Sequence, residues 1–178
     1  FSDVGYTLPK PLIFIEEERK TILQKSMESV NIEDANLIFI VRQEHINEFA
    51  LDEFLKDKFG QEVNIIPVDY ETEGAVCSCL LAEKYINNDD PLVIFTEKEV
   101  ISNNAVGGLY FYKRGNDFVK YANQMIEENR KVKGEYYICP VYNFFIKDGK
   151  KIGIDKNSKH VILGTPADLE KYINKELK

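Results

Sequence analysis

The sequence predicts an α/β fold with a doubly wound, mostly parallel sheet and helices on both of its faces. Three observations predict it. Short apolar runs of four to six residues recur along the first half of the chain. Segments with apolar residues at helical spacing separate these runs. Turn-forming residues such as Gly, Pro, Asn and Asp lie at several of the joints.

The first half of the chain alternates between predicted strands and predicted helices. The strands are Leu12–Ile15, Asn36–Val41, Val63–Val68 and Leu92–Phe95. Two of them, Asn36–Val41 and Leu92–Phe95, are continuous apolar runs, which is typical of strands buried on both faces. The helices between them are Thr21–Val30, His45–Phe59 and Glu73–Ile86, with Gly60 placed to end the second. This β-α-β-α-β-α-β order predicts parallel strands joined by right-handed crossovers.

The second half departs from this rhythm. The pattern predicts strands at Ala105–Tyr112 and Lys151–Asp155, and helices at Asp117–Asn129 and Tyr137–Lys147. A last helix begins at Thr165, with Thr as N-cap, Pro166 at the first helical position and Asp168 in the first turn. We expect one domain over residues 1–178.

Composition and charge exclude several classes of protein. Of the 178 residues 44% are hydrophobic, enough for a core, yet no run reaches the ~18 apolar residues of a membrane span. The net charge of −7 argues against a broad nucleic-acid surface. Three cysteines and two isolated histidines predict neither a disulfide framework nor a zinc site. With no signal peptide visible, we expect a soluble, cytoplasmic protein whose coding sequence begins upstream of Phe1.

Ligands of a parallel α/β sheet bind at the carboxyl ends of its strands, so the candidate site residues are sought there. Lys10 lies between two prolines that stiffen its backbone, which suits a lysine that meets a phosphate. Thr72, Gly74 and Ala75 begin a predicted helix, with Thr72 as its N-cap and Gly74 allowing a ligand close to the backbone. The alternatives are a solvated loop lysine and an ordinary capped helix.

Glu97 and Lys98 follow the strand Leu92–Phe95, where the carboxylate could accept from sugar hydroxyls and the ammonium could meet a phosphate. The alternative is a solvated run of charge. Ser78 lies inside a helix without a nucleophile elbow, so a hydrolase triad has no support.

Eight segments carry a family resemblance in their order along nearly the whole chain. They are Gly5–Ile13, Phe39–His45, Thr72–Ala75, Pro91–Ile94, Glu97–Lys98, Gly107–Phe111, Gly134–Tyr137 and Leu163–Leu169. Together they resemble the bacterial sugar nucleotidyltransferases, especially the capsule and lipopolysaccharide branch, which are similar in fold to glucose-1-phosphate thymidylyltransferase. The resemblance implies a Rossmann-like fold of the nucleotide-diphospho-sugar transferase type.

The resemblance also implies an activity, in which a nucleoside triphosphate and a sugar phosphate yield a nucleotide-linked sugar and pyrophosphate, with Mg²⁺ as cofactor. Lys10 matches the lysine that contacts phosphate, and Thr72, Gly74 and Ala75 match the segment that frames the base. The residues that match the sugar-phosphate site are Glu97, Lys98, Gly107, Gly108 and Glu135. The implied partners are the two substrates and a possible second copy of the chain.

Three departures from the family pattern accompany the resemblance. The chain begins just after the point where the family has its Gly-rich phosphate loop. Thr96 runs directly into Glu97, so an internal stretch with a metal-binding Asp is missing there. Cys139 and Pro140 stand where a second metal-binding Asp often falls. We favour an intact enzyme that has these stretches. The alternatives are a non-catalytic nucleotide- or sugar-binding module and a partner protein without a ligand.

Overall fold

A computed structural model of the chain describes residues 1, 5–86, 89–95, 108–155 and 163–175. Its contacts divide the chain into two compact units. Unit 1 comprises Phe1–Pro67 with Lys159–Lys178, and unit 2 comprises Val68–Ser158. One domain over residues 1–178 stays a prediction.

Within the described residues, unit 1 has two small sheets and four short α-helices. In chain order these are β1 (Phe14–Ile15), β2 (Lys20–Thr21), α1 (Ile22–Met27), β3 (Ile38–Arg42), α2 (Gln43–Phe49), α3 (Leu51–Phe59), β4 (Asn64–Val68) and α7 (Pro166–Ile173). A 3-10 helix at Lys10–Leu12 precedes β1. Strands β1 and β2 pair antiparallel, and β3 pairs with β4.

Local chemistry explains where several of these helices begin and end. Thr21 caps α1 in a capping box with Gln24. Ala50 adopts a left-handed conformation, φ 48° and ψ 42°, and this residue separates α2 from α3. Gly60 follows α3 at φ 106°, as the sequence predicts for its end.

Two apolar clusters hold unit 1 together. One contains Ile13, Ile15 and Ile22 with Leu169 of α7. The other contains Leu12, Leu51 and Leu55, against which side chains of β3 and α2 pack. Because a buried Leu or Ile side chain contributes roughly 1.5–3 kcal/mol, the first cluster, which contains Leu169, stabilises the contact of α7 with the start of the chain.

The described residues of unit 2 form one two-stranded sheet and three α-helices. They are α4 (Ala75–Leu80), β5 (Leu92–Phe95), β6 (Leu109–Tyr112), α5 (Gly115–Glu127) and α6 (Tyr142–Lys147), with 3-10 helices at Glu83–Tyr85 and Cys139–Val141. Strands β5 and β6 pair antiparallel, with Ile94 opposite Tyr110 and Leu92 opposite Tyr112.

An aromatic core lies on one face of this sheet. Tyr112 stacks on Tyr142 with ring centroids 4.9 Å apart, and Phe118 of α5 is fully buried beside it. The opposite face is apolar but open, since Phe111 is 60% and Val93 46% exposed.

The predicted large, doubly wound, mostly parallel sheet is not seen in the described part of the chain. The strands there form three separate two-stranded sheets, two of which are antiparallel. The apolar runs were also predicted to be buried on both faces, yet Ile38–Val41 is only half-buried and β5 buries Ile94 alone. A short apolar run has the composition of a buried strand whether one or both of its faces are covered, so the pattern cannot distinguish the two.

Several predicted boundaries are also wrong. The first predicted strand is partly the 3-10 helix Lys10–Leu12, and α1 ends at Met27. The helix predicted over Glu73–Ile86 is α4 followed by the 3-10 helix Glu83–Tyr85. The helix predicted over Tyr137–Lys147 reduces to α6 after a 3-10 turn, and Lys151–Asp155 forms no strand. The strand predicted from Ala105 is β6 where it is described, while Ala105–Gly107 lies outside the described residues.

Candidate functional site

Lys10 is held in a defined position within unit 1. Pro9 precedes the 3-10 helix Lys10–Leu12, and Leu12 is buried beneath it. The Lys10 ammonium donates a hydrogen bond to the Gly164 carbonyl at 3.1 Å and lies 5.2 Å from the centre of the Phe1 ring. Lys10 is therefore not the freely solvated loop lysine that the sequence left as an alternative.

Burial lowers the pKa of Lys10, and the nearby Asp168 carboxylate opposes that shift. An ammonium that has lost part of its hydration gains more from meeting an anion than a fully solvated one does. This environment is compatible with a phosphate-binding lysine, although the role itself stays a prediction.

The segment that meets Lys10 is the beginning of α7. Thr165 accepts from the Asp168 backbone N–H, while the Asp168 carboxylate accepts from the Thr165 backbone N–H. This capping box and Pro166 at the first helical position confirm the predicted helix start. Leu169 is 1% exposed in the cluster with Ile13 and Ile15. Two segments of the resemblance, 154 residues apart, therefore meet in unit 1.

The Thr72–Ala75 segment lies in unit 2, before α4. The N-cap of α4 is Gly74, so the prediction of Thr72 as N-cap is wrong. The Thr72 hydroxyl lies 3.2 Å from the Gly74 carbonyl and 2.6 Å from the Ser78 hydroxyl. Thr72 thus stabilises the turn through its contacts with Gly74 and Ser78, and it does not cap the first N–H groups of α4.

A second segment of the resemblance, Gly134–Tyr137, holds this turn by its backbone. The Tyr136 N–H donates to the Glu73 carbonyl at 2.9 Å, and the Val76 N–H donates to the Tyr136 carbonyl at 3.0 Å. We call these two bonds, which flank Gly74 on either side, the Tyr136 clasp. Tyr136 itself is 4% exposed, and its hydroxyl donates to Asn129 at 2.9 Å.

The clasp explains why position 74 is glycine. Its φ of 128° and ψ of 175° belong to a region that other residues rarely adopt. A Cβ at Gly74 would lie 2.6 Å from the Tyr136 nitrogen and 2.7 Å from its oxygen. The close approach that the sequence assigned to a ligand is therefore made by another part of the protein backbone, which is the physical correction to that inference.

Side-chain charges reinforce the same contact. Lys131 pairs with Glu73 at 2.5 Å and lies 5.0 Å from the centre of the Tyr136 ring. The Glu73 carboxylate raises the pKa of Lys131. Glu135 is exposed and bonds to Val132 only through its backbone, which leaves its carboxylate on the surface beside the clasp.

The structure brings some predicted site residues together and leaves others undecided. Thr72, Gly74, Ala75 and Glu135 lie within one constellation of unit 2, whereas Lys10 belongs to unit 1. Gly108 is buried in unit 2 at φ 79°. Glu97, Lys98 and Gly107 lie outside the described residues.

Sequence reasoning missed the contributions of Tyr136, Ser78 and Lys131. A glycine after Thr-Glu indicates a close approach, but the partner lies about 60 residues further on, and no local pattern identifies it.

The described residues contain no group of three His, Cys, Asp or Glu side chains that could hold a metal ion. Cys139 and Pro140, where the family often has an Asp, form a 3-10 turn. Mg²⁺ therefore has no identified ligand set in this part of the chain, and the cofactor stays a prediction. No helix within the described ranges is long and apolar enough to cross a membrane.

This fold has a counterpart among solved structures. The chain is similar over 98% of its length to the crystal structure of a nucleoside-diphosphate-sugar pyrophosphorylase from Vibrio cholerae, of which 95% is covered, with a TM-score of 0.75 and 18% identity. At this identity the likeness concerns the fold, so the chain has the mixed α/β fold of that structure. No known family profile and no curated protein matches the sequence.

Proposed function

We propose that the protein is a nucleotidyltransferase that transfers a nucleoside monophosphate from a triphosphate to a sugar phosphate and releases pyrophosphate. The observation that carries the proposal is the likeness of nearly the whole chain to a nucleoside-diphosphate-sugar pyrophosphorylase. The finer proposal is that the product is a precursor of surface polysaccharide such as capsule or lipopolysaccharide, made in the cytoplasm.

The proposed chemistry is an in-line displacement at phosphorus. An oxygen of the sugar phosphate attacks the α-phosphorus of the triphosphate, and a new phosphorus–oxygen bond forms. The bond to the bridging oxygen breaks, and pyrophosphate leaves with that electron pair. Negative charge grows on the phosphate oxygens, and a fixed cation lowers the barrier by meeting it.

Lys10 is the residue that we propose stabilises this growing negative charge. Its backbone is stiffened by Pro9 and Pro11, and its ammonium is partly dehydrated between Gly164 and Phe1. A cation mounted in this way loses little side-chain entropy when a phosphate arrives.

The remaining assignments concern the two substrates. The Thr72–Ala75 turn would frame the base, and the Tyr136 clasp supports this by keeping the turn rigid. Glu135 would accept hydrogen bonds from the sugar, and its exposed carboxylate is compatible with that role. Glu97, Lys98, Gly107 and Gly108 would complete the sugar-phosphate site. Mg²⁺ would neutralise triphosphate charge when bound, but with no ligand set identified we assign no step to it.

Pyrophosphate release tests the proposal. The protein is incubated with each of the common nucleoside triphosphates as its Mg²⁺ salt and a panel of sugar 1-phosphates, and pyrophosphate is measured with a coupled enzyme. We expect release with one pair of substrates and none when the sugar phosphate is omitted. Lys10→Gln should lower kcat about 100-fold or more, as loss of a charge-stabilising group does.

A matched control uses Lys58, another lysine of unit 1, which pairs with Asp57 on the surface at 2.8 Å. Lys58→Gln should retain activity. If nucleotides raise the melting temperature without any turnover, the protein is a binding module of this fold. If neither occurs with any pair, the proposed function is wrong.

A further inference from the structure

Unit 2 has a cleft that the proposed substrate site does not use. It has a volume of about 320 Å³ and lies between the end of α5, the following loop and α6. Its lining includes neither Thr72, Gly74 nor Glu135. This volume is at the lower end of the range of small-molecule sites in proteins, about 300–1,000 Å³.

The charge of the cleft contrasts with that of the protein. Among the described residues, three cations, Arg130, Lys131 and Lys147, and one carboxylate, Glu128, line it. The lining therefore has a net charge of +2, whereas the whole chain has a net charge of −7. A cationic concavity on an acidic protein attracts anions to that place selectively.

Some N–H donors of these cations remain available to hydrogen-bond a ligand. Arg130 uses its Nε to bond Glu128 at 3.2 Å, and its two terminal nitrogens have no hydrogen-bond partner among the described residues. The ammonium of Lys147 lies near Glu128 but makes no ion pair with any residue that the structure describes. Lys131 is bound to Glu73 and is the least available of the three.

The rest of the lining is apolar. Val132, Pro140 and Phe144 form this part, and Phe144 is anchored in the core at 8% exposure. The Asn143 side chain adds an amide. A group with a doubly charged end and an apolar or planar body satisfies both kinds of surface, since the anion meets the cations and the body covers Phe144.

We propose that this cleft binds a small organic phosphate monoester, whose phosphate contacts Arg130 and Lys147 and whose apolar body packs on Phe144 and Pro140. The inference goes beyond the proposed function and does not rest on it. It stands even for a protein without nucleotidyltransferase activity.

Phenyl phosphate is the probe, with inorganic phosphate and phenol as its two halves. Binding to the full chain is followed by ¹H–¹⁵N NMR, which locates the responding amides. We expect shifts at Val132, Asn143 and Lys147, with phenyl phosphate binding about tenfold more tightly than either half. Arg130→Gln and Lys147→Gln should each weaken binding about tenfold, as loss of one charged hydrogen bond does.

Two control variants separate this cleft from other cations. Lys120→Gln removes an exposed lysine of α5, 62% accessible, that does not line the cleft, and it should leave the affinity unchanged. Lys10→Gln should also leave the shifts at Val132, Asn143 and Lys147 unchanged, because Lys10 does not line the cleft.

Specific outcomes would overturn the proposal. Absence of shifts at millimolar probe, or equal binding by inorganic phosphate alone, would refute the monoester. Binding that is lost in Lys10→Gln but not in Lys147→Gln would assign the anion to the proposed substrate site and refute this cleft.

Discussion

Replacing Gly74 by alanine tests the Tyr136 clasp most directly. The new Cβ would lie 2.6 Å and 2.7 Å from the backbone nitrogen and oxygen of Tyr136, so one of the two backbone segments must move. Alanine at φ 128° and ψ 175° costs about 1–3 kcal/mol in backbone strain. Loss of the two clasp hydrogen bonds adds about 0.5–1.5 kcal/mol each. We expect Gly74→Ala to destabilise unit 2 by about 2–6 kcal/mol.

The control for Gly74 is Gly149→Ala, in the same unit. Gly149 also has a positive φ, 73°, but a Cβ there meets nothing within 4 Å. Alanine in this left-handed conformation costs about 1–2 kcal/mol. The difference between the two variants therefore reports the clash with Tyr136, the loss of the clasp hydrogen bonds and any additional backbone strain at Gly74, and not merely the loss of a glycine.

Urea unfolding followed by near-ultraviolet circular dichroism is the assay, because the unit 2 core contains the buried tyrosines Tyr110, Tyr112, Tyr121 and Tyr136, whose surroundings change on unfolding. Amide exchange gives an independent measurement, since the N–H groups of Tyr136 and Val76 are the clasp donors. In Gly74→Ala both should exchange faster. The reasoning is refuted if Gly74→Ala costs no more than Gly149→Ala, or if both amides remain as protected as in the wild type.

The other predictions concern pH, a helix cap and the candidate lysine. Burial raises the pKa of Tyr110 to about 12, and the Asp148 carboxylate does the same for Tyr121. Both hydroxyls stay protonated to a higher pH in the folded state than in the unfolded chain. The free energy of unfolding should therefore fall between about pH 10 and about pH 12 in urea titrations, and this fall should be smaller in Tyr121→Phe. Thr165→Ala removes the capping hydroxyl of α7 and should cost about 1 kcal/mol, with faster amide exchange in α7 but unchanged unit 2 signals. Lys10→Gln should lower stability by only about 1 kcal/mol, the value of one hydrogen bond, and an unfolded variant would contradict that.

Features set by neighbouring residues could be predicted from the sequence. Thr165, Pro166 and Asp168 specify a helix start by themselves, and the structure has the helix there. Gly60 ends α3 for the same local reason. The long amphipathic pattern of α5 also identifies a helix, with boundaries displaced by two residues at each end.

Features set by distant residues could not be predicted. Ala50 has no local signal for a left-handed conformation, so one helix was expected where the chain has two. The partners of Lys10 and Gly74 lie far along the chain, and apolar periodicity carries no information about such pairs. The prediction of strand pairing fails for a related reason, since periodicity identifies a strand but neither its neighbour nor its direction.

The two candidate loops share a physical principle that bears on the proposed function. Lys10 is fixed by the carbonyl of Gly164, and the Thr72–Ala75 turn is fixed by the backbone of Tyr136. Backbone-to-backbone bonds persist through most side-chain substitutions, so the Thr72–Ala75 turn can keep its position when its side chains change, whereas the bond to Gly164 depends on the Lys10 side chain itself. Since a loop ordered in advance loses less entropy on binding, the proposed function predicts that the rigid Thr72–Ala75 turn binds its ligand more tightly than a flexible turn of the same sequence would.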